Sequence, residues 1–153
     1  MNQNLQAAVS KLKSQGMKHK VIDLGGSGIT AQDVARLTGS KLDEICKTVV
    51  LMDDTGNMFA AFLQSDKRVD LEKVRSVFGC GLLRLAKAKE LKERLNLSPG
   101  EVCPITVPLP LVVDKPMLEK DVINFGSGDV NYGIEMTTQD VLASTKAKIS
   151  NIS

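Results

Sequence analysis

The sequence predicts an α+β fold, in which a mixed and largely antiparallel sheet is flanked by helices. Short helical and strand-like segments are interspersed along the 153 residues, but strands and helices do not alternate strictly. Two apolar runs, 48–54 and 58–64, are joined by Thr55-Gly56-Asn57, which is typical of a β-hairpin. Because a hairpin makes its two strands antiparallel, the pattern excludes an all-parallel sheet.

Helices are predicted where apolar residues recur with a helical period and a capping residue precedes them. Residues 3–15 carry such a stripe, and Gly16 can end that helix. Four more helices are expected, over 30–39, 70–79, 86–95 and from 137 or 138 to 142. A further helical turn is expected at 42–46, directly before Lys47.

The strands outside the hairpin are predicted as short apolar runs with turn residues on either side. They are expected over 21–24, 82–85, 109–113, 122–125 and 132–136. Two loops that contain glycine, 98–104 and 126–129, lie among the last of these elements. No internal repeat or low-complexity linker interrupts the chain, so residues 1–153 are expected to form one domain.

Composition excludes several classes of protein. Hydrophobic residues make up 42% and charged residues 25%, which is typical of a globular chain in water. The 20 basic and 18 acidic residues give a net charge of +2, so the chain is not a polycation. Aromatic residues are only 3%, which argues against base-stacking platforms. The single histidine, His19, excludes chemistry that needs two.

The three cysteines, Cys46, Cys80 and Cys103, form no C-x-x-C pair, which argues against zinc and dithiol sites. Their odd number and wide spacing favour a reducing compartment over a disulfide framework. The first residues lack the apolar core of a signal peptide, and no apolar run approaches the length of a membrane span. We therefore expect a cytoplasmic protein with no membrane partner and no metal.

One candidate binding motif is Gly26-x-Gly28-x-x-Ala31, which follows a predicted strand and opens a helix. It matches the relaxed fingerprint of a dinucleotide-binding turn. The hairpin at 48–64 stands where that fold requires a parallel strand, so a turn into a capped helix is favoured. A dinucleotide-binding protein is kept as a distant alternative.

Other residues could carry chemistry at the ends of strands. Lys47 begins an apolar strand and could present its ammonium group to a phosphate. Gly126 and Gly128 let backbone amides approach a ligand closely, as in an oxyanion hole, and Ser127 adds a hydroxyl.

Basic residues are concentrated in two segments. Residues 1–22 contain four lysines and no acid, and residues 84–94 contain five basic and two acidic residues. The local charges of +4 and +3 could steer a polyanion towards the protein.

The order of these features resembles the YbaK/ProX family of aminoacyl-tRNA deacylases, which stand alone or form the editing domain of bacterial prolyl-tRNA synthetases. The resemblance extends over residues 20–145, and it implies the mixed sheet of that family. The runs that carry it are TAQDVARLTGSKLDEICKTVVL, DLEKVRSVFGCGLLRLAKAKEL, PGEVCPI, LVVDKPML and NFGSGDVNYGIEM.

The resemblance also implies the site. Lys47 matches the essential lysine of the family, and Gly100 and Pro104 match its G-x-x-x-P loop. The lysine would hold the terminal phosphate or the developing charge, and backbone amides would bind the oxyanion. The implied catalytic residues are Lys47, Gly100, Gly126, Ser127 and Gly128, and the implied substrate-binding residues are Thr30, Pro104 and Asp114.

The implied reaction is hydrolysis of a mischarged aminoacyl-tRNA that carries Ala, Cys, Ser or Thr, with tRNA-Pro as the expected tRNA and no cofactor. The expected partners are the acceptor end of that tRNA and an aminoacyl-tRNA synthetase, but not DNA. Asn96, Thr106 and Gly133 depart from the pattern of the family. These departures leave a second hypothesis open, a non-catalytic module of the same fold that binds tRNA or a synthetase.

Overall fold

The computed structural model describes all 153 residues and has one eight-stranded sheet at its centre. The strands are β1 Lys20–Asp23, β2 Ile45–Asp53, β3 Met58–Gln64, β4 Leu83–Leu85, β5 Leu111–Asp114, β6 Val122–Gly126, β7 Tyr132–Thr137 and β8 Lys148–Ser150. The α-helices are α1 Gln3–Ser14, α2 Ala31–Thr38, α3 Leu71–Phe78, α4 Ala88–Leu95 and α5 Thr138–Thr145. Two 3-10 helices span Leu42–Glu44 and Lys115–Glu119.

The strand order is β1-β7-β6-β2-β3-β5-β8, and β4 pairs with β2 off this path. The pairs β1·β7, β6·β7, β2·β3 and β2·β4 are antiparallel, whereas β2·β6, β3·β5 and β5·β8 are parallel. The predicted α+β fold with a mixed, largely antiparallel sheet is therefore confirmed. No helix is both long and apolar enough to cross a bilayer.

Apolar clusters cover both faces of the sheet, because neighbouring strand residues point to opposite faces. On one face, Leu5 and Leu12 of α1 pack in a cluster with Phe62, whose ring meets the ring of Phe125 edge-on at 5.7 Å. On the other face, Val74 of α3 packs in a second cluster. Burial of these side chains contributes about 1.5–3 kcal/mol each and fixes the helices on the sheet.

Two details differ from the sequence-based expectation. Ile45 and Cys46 begin β2 rather than ending a helical turn, because they pair with β6 and are only 3% exposed. The strand β8 was not expected. It has three residues at an edge of the sheet, and its pairing with β5 is long-range, so no local pattern signals it.

The structure excludes the dinucleotide-binding alternative. The fingerprint needs a strand whose parallel neighbour follows the helix, but β1 is an edge strand whose only neighbour is the antiparallel β7. The amide of Gly28 donates a hydrogen bond to the carbonyl of Val130 at 2.6 Å, so it is not free for a pyrophosphate.

Candidate active site

The sheet opens along one edge of β2. The strand β6 pairs with this edge at Ile45 and Cys46, and β4 pairs with it from Leu51 to Asp53. The stretch 47–50 lies between the two ladders and has no neighbouring strand on this side. The opening exposes a length of strand backbone in the interior of the sheet.

Some backbone groups of this stretch have no strand partner. The carbonyl of Ile45 accepts a hydrogen bond from Ser65, so odd-numbered residues of β2 direct their backbone groups towards β3. Even-numbered residues face the opening, where the carbonyl of Val50 is taken by the amide of Ala86 at 2.9 Å. The amides of Thr48 and Val50 remain without a strand partner and point into the opening.

A cleft of about 450 Å³ lies over this opening. Its walls come from β1, the loop before α2, α2 itself, the loop at 98–104 and the β4–α4 segment. They are mostly apolar and include Ile22, Leu24, Val34, Leu91 and Val102. Its floor is formed by β2 and β6 and is more polar, with Lys47, Thr48, Ser65, Asn124 and Gly126.

Lys47 is half-buried on this floor. Its Nζ donates a hydrogen bond to the carbonyl of Lys67 at 2.7 Å. Burial lowers the pKa of Lys47, and the nearby Asp66 carboxylate opposes this effect. The side chain therefore brings a positive charge, tethered at its tip, into a partly dry cleft, where an anion is attracted more strongly than in water.

Two other residues predicted for the site, Thr30 and Gly100, also line the cleft. The Thr30 hydroxyl accepts a hydrogen bond from the amide of Asp33 at 3.1 Å and so caps α2. Gly100 has φ +88°, and a Cβ there would lie 3.2 Å from the Cα of Ile29. Thr30 thus positions the helix over the cleft, and Gly100 lets the two loops approach each other.

Gly126 lines the cleft, but its role differs from the expected one. In the parallel ladder, Cys46 lies opposite Phe125 and therefore bonds to the residues on either side of it. The amide of Gly126 therefore donates a hydrogen bond to the carbonyl of Cys46, whereas the amide of Thr48 has no strand partner. The structure thus offers Thr48 rather than Gly126 as a backbone donor.

Ser127 and Gly128 lie outside the cleft, contrary to their predicted catalytic role. Ser127 is fully buried, and its hydroxyl donates a hydrogen bond to the carbonyl of Tyr132 at 2.7 Å. The carbonyl of Gly128 accepts a hydrogen bond from Asn2, and a Cβ on Gly128 would lie 2.7 Å from the Cβ of Asn4. Both residues therefore hold the loop after β6 against the start of α1.

Pro104 and Asp114 also lie outside the cleft, contrary to their predicted substrate-binding role. Pro104 is buried. Asp114 is 0% exposed at the end of β5, where its Oδ1 accepts a hydrogen bond from the amide of Ile152 at 2.9 Å. Since β3 and β2 separate β5 from the opening, Asp114 fixes the C-terminal segment rather than the substrate.

The sequence-based reasoning missed the floor residues Asn124 and Ser65. Four buried side-chain oxygens have no hydrogen-bond partner, and two of them, Asn124 Oδ1 and Ser65 Oγ, belong to residues that line the cleft. Buried polar atoms are usually paired, so unpaired ones in a cleft indicate a ligand site. Only the register of β6 and β3 against β2 brings the two residues to the floor, and no local pattern could have indicated it.

The comparisons with known proteins identify the class. The family model described as the aminoacyl-tRNA editing domain matches residues 27–143, and the chain belongs to this family. The predicted resemblance is thereby confirmed. The family gives the chain a role in aminoacyl-tRNA editing, which serves the fidelity of translation.

Two curated relatives are proline–tRNA ligases. That of Sulfurihydrogenibium sp. is 27% identical over 103 residues, which cover 67% of this chain and 18% of the ligase. That of Xanthomonas axonopodis pv. citri is 32% identical over 84 residues, which cover 55% of this chain and 15% of the ligase. The chain therefore corresponds to less than a fifth of each ligase.

Two solved structures share the fold over nearly their whole length. A hypothetical protein has a TM-score of 0.87 and 26% identity, with 95% of this chain and 98% of the other covered. A protein proposed to be a trans-editing enzyme for prolyl-tRNA synthetase has a TM-score of 0.85 and 25% identity, with 100% and 98% covered.

Proposed function

We propose that this chain is an aminoacyl-tRNA deacylase that removes a small amino acid, Ala, Cys, Ser or Thr, from mischarged tRNA-Pro. The observation that carries the proposal is the opening in the sheet, where a lysine and unpaired backbone amides share one cleft. Such a cleft can hold an ester next to groups that stabilise negative charge. The prolyl-tRNA ligase relatives support tRNA-Pro as the substrate.

The reaction needs no strong side-chain nucleophile, because the bond to be broken is an ester. A water oxygen attacks the carbonyl carbon, and the carbonyl electron pair moves to the oxygen. As the intermediate collapses, the bond to the ribose oxygen breaks, and that oxygen takes up a proton that the water supplied. The amino acid leaves as its carboxylate, and the second proton of the water is released to the solvent.

The unpaired Thr48 amide and the Lys47 ammonium supply stabilisation at the floor of the cleft. Each well-placed hydrogen-bond donor to the oxyanion contributes about 10²–10³-fold in rate. The His, Cys, Asp and Glu side chains form no group of three or more that could hold a metal ion.

A second, hydrolytic site corrects errors that a synthetase pocket makes with smaller amino acids. One methylene group changes binding by only about 1–3 kcal/mol, so the synthetase rejects a smaller amino acid weakly. The apolar walls of the cleft, with Val34 and Leu91, would sort the side chains of its substrates by size.

The helix α4 supports binding of the tRNA backbone beside the cleft. Leu91 lines the cleft, while four exposed basic residues, which we call the α4 basic face, surround it: Lys87, Lys89, Lys92 and Arg94. The N-terminal basic segment fits this role less well. No residue of α1 lines the cleft, and the Nζ of Lys11 is held by the carbonyl of Ile105 at 2.8 Å.

The test is deacylation of tRNA-Pro charged with Ala, Cys, Ser, Thr or Pro, with and without a prolyl-tRNA synthetase. We expect rapid loss of at least one small amino acid, with Pro spared. Lys47→Ala should abolish this activity, whereas Lys115→Ala, an exposed lysine beyond β5, should leave it unchanged. A chain that binds tRNA but hydrolyses no member of the panel would instead be the non-catalytic module.

A further inference from the structure

Asn124 is a polar side chain of the cleft floor that makes no hydrogen bond within the protein. It lies on β6 opposite Ile45 of β2, so its side chain shares a face of the sheet with Lys47. Gly126 is the next residue of β6 on this face and has no side chain. Space therefore remains above the floor between Asn124 and Lys47, within the cleft that both residues line.

The side-chain amide of Asn124 makes no hydrogen bond within the protein. Its Oδ1 is enclosed without a partner, whereas its Nδ2 is not enclosed, and the residue lines the cleft. Asparagine is depleted from strands because it contributes little to their packing. An unpaired polar atom inside a protein also costs stability. Neither packing nor hydrogen bonding within the fold explains why asparagine stands here.

We propose that Asn124 is a catalytic residue that donates a hydrogen bond from Nδ2 to the carbonyl oxygen of the aminoacyl ester. The inference rests on the proposed deacylase function. When water forms its bond to the carbonyl carbon, the electron pair that reaches this oxygen is stabilised by the Asn124 amide and the unpaired amide of Thr48. When the bond to the ribose oxygen breaks, this electron pair re-forms the carbonyl double bond. The hydrogen bond from Asn124 then weakens again.

The side-chain amide of Asn124 has a second possible role in substrate binding. If it turned its oxygen towards the cleft, it would accept a hydrogen bond from the α-amino group of the amino acid. Asn124→Asp separates the two roles, because aspartate keeps the shape and the acceptor but loses the donor. Asn124→Ala loses both, and Asn124→Ser keeps a shorter donor.

The experiment measures kcat and KM for each variant on the aminoacyl-tRNA panel described above. We expect Asn124→Asp and Asn124→Ala to lower kcat about 100-fold, with KM changed by less than about threefold, as is typical when an oxyanion donor is removed. Asn124→Ser should retain an intermediate kcat. Asn151→Ala, at an exposed asparagine after β8, is the matched control and should behave as wild type.

Thermal unfolding of each variant accompanies the kinetics, and the near-isosteric Asn124→Asp keeps the test valid if Asn124→Ala does not fold. Wild-type kcat in Asn124→Asp would overturn the proposal and indicate the acceptor role instead. A loss confined to KM would overturn it as well. An inactive wild-type protein would refute the deacylase function itself, which is a different result from an active wild type with an active Asn124→Asp.

Discussion

Two regions of the sheet, the edge formed by β5 and β8 and the opening between β6 and β4, are built differently. Around β3, β5 and β8 the ladders follow one another without a gap, and the C-terminal segment is tied down. The Oδ1 of Asp114 accepts a hydrogen bond from the amide of Ile152, although Oδ2 has no partner, and the carbonyl of Ile152 accepts a hydrogen bond from the amide of Asp70 at 2.6 Å. Between β6 and β4 the sheet is interrupted instead, and polar groups on the floor of the opening have no partner within the chain.

The opening differs because both backbone and side-chain groups lack partners there. A closed ladder between β6 and β4 would have paired the backbone of Thr48, and an apolar residue at Asn124 would have packed without an unpaired oxygen. Unpaired buried polar groups each cost about 1–3 kcal/mol. Such a cost is expected where a ligand supplies the missing partners. Substitutions in the two regions should therefore have opposite effects on activity and on stability.

The largest effect is expected in the cleft. Lys47→Ala should lower the deacylation rate by at least about 100-fold, because the charge that stabilises the transition state is lost. Its thermal unfolding should stay close to that of wild type, because the Lys47 side chain makes only one hydrogen bond. Single-turnover deacylation and calorimetry on the same preparation test both statements. If Lys47→Ala lost enough stability to account for its loss of rate, the proposed difference between the cleft and the far edge would be contradicted.

The reverse result is expected at the far edge, formed by β5 and β8. Asp114→Ala leaves the buried amide of Ile152 without an acceptor, which should lower the free energy of unfolding by about 1–3 kcal/mol. The deacylation rate of the folded fraction should not change, because β3 and β2 stand between Asp114 and the opening. Asp114→Asn keeps an acceptor oxygen and should lose less stability. A loss of activity without a loss of stability in either variant would show that Asp114 takes part in substrate binding.

A third prediction concerns the α4 basic face. Replacing Lys87, Lys89 and Lys92 by Gln should weaken tRNA binding and reduce the slope of log K against log salt by about one for each phosphate that is no longer neutralised. Replacing Lys115, Lys146 and Lys148, all exposed near the far edge, should leave the slope unchanged. Filter binding at several salt concentrations measures both. Matching slopes for the two triple variants would refute a localised tRNA surface.

The smallest effect is expected at the turn between β2 and β3. Burial raises the pKa of Asp53, but hydrogen bonds from Asn57 and Thr55 outweigh burial and lower it to about 2. Because this pKa lies below the unfolded value of about 3.9, the carboxylate stabilises the fold above that pH and loses this effect as the pH falls through about 2. Asp53→Asn should therefore unfold at a lower temperature than wild type at pH 7, and the two should converge near pH 2. A difference independent of pH would show that the charge of Asp53 does not matter.

Local sequence patterns were sufficient for most of the elements and for four residues that line the cleft, Thr30, Lys47, Gly100 and Gly126. The turn at Thr55-Gly56-Asn57 fixes the hairpin, capping residues such as Thr30 fix the helices, and the motif order identified the family and Lys47. The rest depends on long-range register. The pairing of Cys46 with Phe125 brings Asn124 to the floor, and the next loop carries Ser127 away from it. Glycine-rich loops look alike in sequence, whether their amides meet a ligand or another part of the chain.

The most direct test of the central claim uses an analogue that cannot be hydrolysed, alanine joined by an amide bond to the 3′ position of 3′-amino-3′-deoxyadenosine. The measurement is the change in backbone amide NMR shifts as this analogue is added to the wild-type protein. The largest changes are predicted at Thr48, Val50 and Gly100, with Gly128 and Ile152 unaffected. Changes centred on Gly128 or Ile152, with Thr48 and Val50 unmoved, would contradict a site in the opening of the sheet.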